Sequence, residues 1–344
     1  MTIQQTQFGV STSEDCINGI EMLQAAGADY SVEKKQVAYS REIPGSMGGV
    51  DSSGNIVPEI EHVAIDSYVP VRTDTNMNIS DRTVGDNYVV LQNREVISVI
   101  DAICGQHDLK YRYMTQIKGG RGLAVQVECP ALNKSLSVGD DQNGGFLTIS
   151  NFHDGTGALK VHVSMIRMRC ANQLAAIGRE FKNKRGSTNL AAHSIRHSAN
   201  MEQRVRDMIN TYRSGMTELT ETADLLRDLS GVICSDATKT EYFKALLNPD
   251  ATPVVDMSKR SRTIYRNKLR ELERAARNPI NVVSSASGTW YEAIQAATWY
   301  GTHGITAKGA STSKEEARYV SKTFGAGAKF NVEALELATT MAGI

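Results

Sequence analysis

The sequence lacks any run of about 18 uncharged apolar residues, which is the length a helix needs to span a bilayer. Its first ten residues, MTIQQTQFGV, contain neither a basic start nor an apolar stretch, so they do not predict a secretory signal. With 41% hydrophobic and 22% charged residues, the composition is typical of a globular protein. These features predict a soluble protein of the cytoplasm with no membrane partner.

Cysteine and histidine are scarce. The five cysteines are scattered through 344 residues and form no CxxC pair, which excludes a zinc knuckle and a redox dithiol. His193 and His197 have the spacing of two metal ligands on one helical face, but no HExxH glutamate and no obvious third ligand accompany them. We therefore expect no metal and no cofactor.

Complete catalytic motifs are also missing. The sequence contains no GxSxG, no phosphate-binding GxxxxGK[ST] and no GxGxxG with a trailing acid. His153 and Asp154 in NFHDGTG could place a general base at a hairpin tip, but an Asp-Gly turn explains the same residues. The sequence favours a protein that is not an enzyme and has no small-molecule substrate, with a hydrolase or nuclease as the weaker alternative.

The pattern of apolar residues predicts an α+β fold. LKYRYMTQI and GLAVQVEC flank KGGR, while GGFLTISN and ALKVHVSMIRMRC flank HDGTG, as expected for two antiparallel hairpins. Strands are also predicted at 30–40 and in NYVVLQN, and a mobile loop at 43–58. Ser11 and Glu14 form a capping box that predicts a helix ending at Gly27, and a second helix follows Asn93.

From Ala171 onward the apolar period changes from two residues to 3.6, which predicts helices. We expect an antiparallel sheet with packed helices, followed by a mainly helical C-terminal part. The expected domains are an α+β sheet domain at 1–170 and a mainly helical region packed on it at 171–344, with a candidate linker at 247–258. The main helices are predicted at 198–229, 236–248, 258–277, 289–300, 314–323 and 330–341.

Lysine plus arginine equals aspartate plus glutamate at 38 each, so any attraction to nucleic acid must come from local charge. Residues 160–213 contain eleven basic and three acidic residues, and residues 259–277 contain eight and two. For 259–277 we favour a solvated helix face whose glutamates pair with its arginines. In the first region, polar and apolar residues alternate along a predicted strand. We predict that this region forms a nucleic-acid surface made of Lys160, Arg167, Arg169, Asn172, Lys182, Lys184, Arg185, Arg196 and His197.

Two alternatives remain open for these residues and their neighbours. Arg167 and Arg169 can also be structural, pairing with buried carboxylates or carbonyls. Tyr111 and Tyr113, placed on one strand face with Arg112 opposite, could stack on bases, although core packing is the commoner reason for that spacing.

Several segments resemble one known family in the same order along the chain. They are LQAAGADYSVE, NYVVLQNREVISVIDAI, TISNFHDGTGAL, MIRMRCANQL, SIRHS, TWYEAIQAATWYGTH and EARYVSKTFGAGAKFNVEALELA. They resemble the phage/plasmid-like protein family of unknown function, a group carried by phages, plasmids and integrated elements. Arg167, Arg169, Cys170, Asn172, Arg196, His197, His303 and Phe324 occupy the places of that family's motifs.

The resemblance supplies no activity, cofactor or catalytic residue, but it implies a role in mobile-element biology. Together with the basic region, it predicts a non-enzymatic phage or plasmid protein that binds nucleic acid, more readily single-stranded, in DNA replication, recombination or protection. A homo-oligomer is also expected. The alternative is an assembly or protein-interaction protein that associates with itself through the helix TWYEAIQAATWY.

Overall fold

A computed structural model describes residues 3–6, 9–12, 18–153, 159–169, 172–177, 181–182, 188–189, 193–195, 201–305 and 313–344. Its strands are β1 (Gln4–Thr6), β2 (Gly9–Ser11), β3 (Val32–Glu42), β4 (Gly49–Val50), β5 (Ile56–Val57), β6 (Ile60–Arg72), β7 (Lys110–Ile117), β8 (Gly122–Glu128), β9 (Asn143–Phe152), β10 (Leu159–Arg167), β11 (Asn172–Ile177), β12 (Phe181–Lys182), β13 (Thr188–Asn189) and β14 (His193–Ile195). Its helices are α1 (Gly19–Ala25), α2 (Asn93–His107), α3 (Asn133–Leu136), α4 (Met201–Gly231), α5 (Asp236–Leu247), α6 (Lys259–Ala276), α7 (Trp290–Trp299), α8 (Lys314–Phe324) and α9 (Ala326–Ala342).

The main sheet is antiparallel and has the strand order β1-β2-β7-β8-β9-β10-β11, with β14 pairing beside β11 along β10. Both predicted hairpins are present, because β7 pairs with β8 and β9 pairs with β10 over their full lengths. The helices from α4 onward make the C-terminal part mainly helical. The predicted α+β class is therefore confirmed.

One face of this sheet forms the hydrophobic core. Val161, Val163 and Met165 of β10 alternate towards it, and residues of α2, α4 and α7 belong to the same buried cluster. Helix α4 packs directly on β10, and α7 and α9 contact β11. The C-terminal helices thus pack back on the sheet, as the sequence predicted.

The approach of α4 to β10 depends on a glycine. A Cβ atom built on Gly215 would lie 2.2 Å from Cγ2 of Val163, far inside a normal van der Waals contact. Helix α4 therefore lies closer to the sheet at this point than any other residue would allow.

β3 and β6 form a two-stranded ribbon, which we call the β3–β6 arm. Only its base is buried, at Val32 and Val71, while most residues beyond Gln36 are exposed or half-buried on both faces. β4 and β5 pair at its tip, inside the segment predicted as a mobile loop. The arm carries seven exposed large apolar side chains, Tyr39, Met47, Val50, Ile56, Val57, Ile60 and Ile65.

Helix α7 contains most of the TWYEAIQAATWY sequence and lies inside the protein. Residues 290–298 are all buried, and the Trp290 ring packs edge-on against Tyr242 at 5.4 Å between centroids. The apolar surface of this helix is therefore already covered within one chain, so the expected self-association finds no exposed surface on it.

Three local predictions are wrong. Residues 172–177 form β11 and pair with β10, so the helical part begins at Met201 and not at Ala171. A short segment such as NQLAAI, with four apolar residues, fits a strand as well as a helix, and its pairing with β10 decides for the strand. Ser11 lies in β2, helix α1 is capped by Asn18, and NYVVLQN forms no strand before α2.

Candidate nucleic-acid interface

Arg167 does not lie on the surface. It follows Val161, Val163 and Met165 on the core side of β10, and its side chain is 1% exposed. Its Nε donates to Oδ1 of Asp141 at 2.6 Å, and Nη1 donates to the carbonyl oxygen of Ile280 at 2.6 Å. The prediction that Arg167 lines a basic surface is wrong, and its structural alternative is confirmed.

Arg167 belongs to a buried polar network that ties the sheet to α7. The Tyr291 hydroxyl donates to Oδ2 of Asp141 at 2.8 Å, and Asn143 Nδ2 donates to the carbonyl oxygen of Leu136 at 3.1 Å. Burial, and then the Asp141 carboxylate, raise the pKa of Tyr291, so its hydroxyl remains a donor at neutral pH. The network holds the Arg167 guanidinium against Asp141 and the Ile280 carbonyl oxygen inside the protein.

The other predicted surface residues are only partly placed. Lys160 is half-buried with its Nζ 5.9 Å from the centre of the Phe152 ring, and Arg169 is exposed in the turn after β10. Asn172 and Lys182 lie in strands whose backbone alone is described, so Asn172 does not begin a helix. The remaining four lie outside the described residues and stay predictions: Lys184, Arg185, Arg196 and His197.

His162 lies two residues after Lys160, on the same face of β10. It is buried, and desolvation, with a smaller effect from the charge of Lys160, lowers the pKa of His162 to about 3. The imidazole is therefore neutral at pH 7 and adds no charge to this face.

The largest described concentration of exposed positive charge lies on α6. Leu272 and Ala275 face the core, and Ser258 caps the helix by accepting a hydrogen bond from the Ser261 amide. On the opposite side Lys259, Arg266, Arg270, Arg274 and Arg277 recur at spacings of seven, four, four and three, while Arg260 and Lys268 are exposed on other sides of the helix. We call this set the α6 basic face: Lys259, Arg260, Arg266, Lys268, Arg270, Arg274 and Arg277.

The α6 basic face is not neutralised by its own glutamates. Within the described part of the chain, none of its seven side chains forms an ion pair, although Glu271 and Glu273 lie on the same helix. The expectation that these glutamates pair with Arg274 or Arg277 is wrong. Arg262, half-buried beside this face, instead donates to the carbonyl oxygens of Val255 and Met257.

A second site is a cleft between α8 and the face of the sheet opposite the core, which we call the α8 cleft. It has a volume of about 600 Å³. Helix α8 begins at the cap Ser313, whose hydroxyl accepts from the Glu316 amide at 3.0 Å. Tyr319, Ile117 and Ala124 form a small apolar cluster that fixes the helix on the sheet.

A β-bulge brings Arg112 and Tyr113 to the same cleft. The pairing of β7 with β8 shifts register between Tyr111 and Tyr113, so neighbouring residues no longer alternate strictly. Tyr111 turns into the core, where its hydroxyl donates to Oδ1 of Asp101 at 2.7 Å. The predicted arrangement of Tyr111 and Tyr113 on one face with Arg112 opposite is therefore wrong.

The described residues bring together neither a set of metal ligands nor the catalytic base considered from the sequence. The described residues contain no group of three or more histidine, cysteine or acidic side chains placed to hold a metal ion. His193 lies in β14 and not on a helix, and His153 is buried with its Nε2 3.0 Å from Oδ1 of Asn93. His153 is therefore not an exposed general base at a hairpin tip.

No helix among the described residues is both long enough and apolar enough to cross a bilayer. Comparison with known proteins gives no match to a curated protein and no match to a solved structure. A protein-family model, described as a domain of unknown function (DUF932), matches residues 82–322, which include the main sheet from β7 onward, the α6 basic face and most of α8. The chain therefore belongs to the DUF932 family.

Proposed function

We propose that the protein binds nucleic acid through the phosphate backbone, with the α6 basic face as the principal contact. The observation that carries the proposal is the set of seven exposed basic side chains on one helix with no ion pair in the described structure. Each phosphate that a lysine or arginine neutralises releases a condensed counterion, which favours binding. An exposed helix face without internal ion pairs supplies this neutralisation at no cost in broken contacts.

A groove beside this face extends the contact surface. It has a volume of about 410 Å³ and is lined by Ile264, Tyr265 and Lys268 of α6 together with the segment after α5. An aromatic ring next to lysine and arginine is typical of surfaces that accept unstacked bases. This arrangement supports single-stranded nucleic acid as the preferred form.

The proposed setting is the host-cell cytoplasm, in the replication, recombination or protection of phage or plasmid DNA. The family resemblance of the motif segments supports this setting. Arg169, together with Lys182, Lys184, Arg185, Arg196 and His197, remains proposed as further backbone contacts, and Lys160 as a contact at the edge of that surface.

The salt dependence of binding tests the proposal. Labelled 30-nucleotide single-stranded DNA is titrated with wild-type protein and with the triple variant Arg266→Gln, Arg270→Gln and Arg274→Gln by fluorescence anisotropy at several salt concentrations. Each lost phosphate contact lowers the log–log slope by roughly 0.7 on a single strand, so the triple variant is expected to lose about 2.

A matched control removes three exposed lysines elsewhere: Lys35→Gln, Lys244→Gln and Lys329→Gln. This variant has the same change in net charge and is expected to keep the wild-type slope. Absence of wild-type binding to DNA and RNA at low salt would show that the proposal is wrong, as would equal slopes for the two triple variants.

A second candidate function, homo-oligomeric assembly, is favoured by the β3–β6 arm. An isolated two-stranded ribbon is marginally stable in water, and this arm exposes Tyr39, Ile56 and Ile60 by half or more of their surface. Residues 41–66 contain five acidic residues and one basic residue, so the arm repels phosphate and complements a basic surface. We propose that its partner is a second copy of this chain, whose α6 basic face would receive it.

Light scattering distinguishes this candidate. The wild-type protein is expected to have a multiple of its 37.5 kDa mass at low salt, and Val50→Ser with Ile56→Ser at the tip is expected to shift it towards the monomer. The variant Met77→Ser, which removes an exposed apolar side chain outside the arm, serves as the control. A wild-type monomer at high concentration would exclude assembly through the arm.

A further inference from the structure

The α8 cleft contains positive charge that the described protein does not neutralise. Lys322 and Arg318 line it, and neither forms an ion pair with any described residue. The described lining includes a single carboxylate, Glu315. Arg112, by contrast, is held by Glu128, since its Nε lies 2.5 Å from Oε2. Two cations therefore remain available to an anion entering the cleft.

Of the two cations, Lys322 is the stronger indication of an anion site, because it is partly buried. Desolvation lowers the pKa of Lys322, and its Nζ lies 5.7 Å from the centre of the Tyr319 ring. Removing an ammonium group from water is costly unless an opposite charge compensates for it. An anionic ligand would supply that compensation, and it would be held more strongly here than at a fully solvated lysine.

The walls beside these cations are aromatic. Tyr113 and Tyr319 lie 5.5 Å apart between ring centres at an angle of 37°, and Phe146 lines the same cleft. Gln126 and Thr148, which share a hydrogen bond of 3.4 Å, place amide and hydroxyl groups among the rings. Flat apolar rings with a few polar groups and adjacent cations match the chemistry of a nucleobase joined to a phosphate.

We propose that the α8 cleft receives one unstacked nucleotide of a single strand, with its base against Tyr113 and Phe146 and its phosphate at Arg318 and Lys322. This inference rests on the proposed function, since the α6 basic face supplies the general attraction to the backbone. A base within a duplex is stacked on both faces and paired along one edge, so it cannot enter the cleft. The cleft thus confers a preference for single strands that a basic helix alone does not give.

The test compares single-stranded and double-stranded DNA of one sequence in one buffer. Arg318→Gln and Lys322→Gln are each expected to weaken single-strand binding about tenfold, the scale of one lost charge-assisted contact to a phosphate, and to leave duplex binding unchanged. Lys314→Gln, an exposed lysine on the same helix outside the cleft, is the matched control and is expected to change neither. The α6 triple variant is expected to weaken both forms equally.

Competition with free dAMP separates a nucleotide within a strand from a free nucleotide. Free dAMP is expected to compete only weakly with single-stranded DNA for the wild-type protein, and not to bind the Lys322→Gln variant. Equal losses for both DNA forms in the cleft variants, or no loss in either, would overturn the inference while the proposed function stands.

Failure of wild-type protein to bind any DNA would instead overturn the proposed function, and with it this inference. Because Arg318 is exposed, its glutamine variant is expected to keep the wild-type melting temperature, which separates loss of binding from loss of folding.

Discussion

Replacing Arg167 by alanine is expected to remove a large part of the protein's free energy of unfolding. The change leaves the Asp141 carboxylate, 5% exposed, without its cationic partner, while the Tyr291 hydroxyl still donates to it. It also removes the donor to the Ile280 carbonyl oxygen. Removing one partner of a buried ion pair costs about 3–5 kcal/mol, because the remaining charge is no longer compensated.

Urea denaturation followed by circular dichroism measures this loss. A change of 3–5 kcal/mol is a large part of the 5–15 kcal/mol that typically separates folded from unfolded protein, so the midpoint should fall clearly. Arg169→Ala, two residues further along and exposed, is the matched control and is expected to change stability by no more than about 0.5 kcal/mol. The double variant Arg167→Met, Asp141→Leu is expected to be more stable than Arg167→Ala, because no charge is left buried.

The reasoning would be refuted by an Arg167→Ala variant that keeps wild-type stability but binds DNA with a smaller salt slope. That result would place the Arg167 guanidinium on the surface, where the buried contacts with Asp141 and Ile280 could not exist.

Three further predictions concern buried groups. The pKa of His162 is about 3 in the folded protein and near 6.5 in an unfolded chain, so between these values only the unfolded chain takes up the proton. The free energy of unfolding should therefore fall by up to about 1.4 kcal/mol for each pH unit below 6.5. Urea titrations from pH 7 to 4 should show a shallower fall for His162→Gln than for the wild-type protein. Gly215→Ala should lower the free energy of unfolding by about 1–3 kcal/mol, and with it the melting temperature, because the new methyl group would clash with Val163, although the same change in an open helix stabilises; a raised melting temperature would contradict this. Glu292→Ala should lower the free energy of unfolding by about 1–3 kcal/mol, because the buried Lys239 ammonium loses its carboxylate partner at 3.1 Å and keeps Asp236 at 3.5 Å; an unchanged urea midpoint would count against this.

Patterns confined to a few neighbouring residues predicted the structure well. The glycines of KGGR and the alternation on both sides identified the β7–β8 hairpin, and the apolar stripe after Asn93 identified α2. In each case one local rule, a turn or a period, is enough to determine the element.

The predicted position of Arg167 was wrong because the alternation of residues along the strand and the charge of the side chain indicate opposite faces of the sheet. Strict alternation from Val161 places Arg167 on the core face, whereas its charge favours solvent unless a buried carboxylate compensates for it. Asp141, which resolves the conflict, precedes Arg167 by 26 residues, so no local pattern could identify it as a partner. The bulge at Tyr113 is similar, because one extra residue in a strand reverses every later side chain without a clear sequence signal.

The α6 basic face was visible in the sequence, but its significance was not. Spacing allowed Glu271 and Glu273 to pair with neighbouring arginines, and side-chain conformation alone decides whether they do. The α8 cleft could not be predicted at all, since it brings α8 against strands nearly 200 residues earlier in the chain.

The β3–β6 arm has a consequence for how this chain can vary. Ala38 and Ala64 are directly paired across the ribbon, and the family match begins only at residue 82. Because paired residues of neighbouring strands lie about 5 Å apart, a two-residue turn could replace everything between these alanines without moving the base of the ribbon. The distal ribbon is thus a module that evolution or an engineer could shorten, lengthen or exchange while the DUF932 domain keeps its fold.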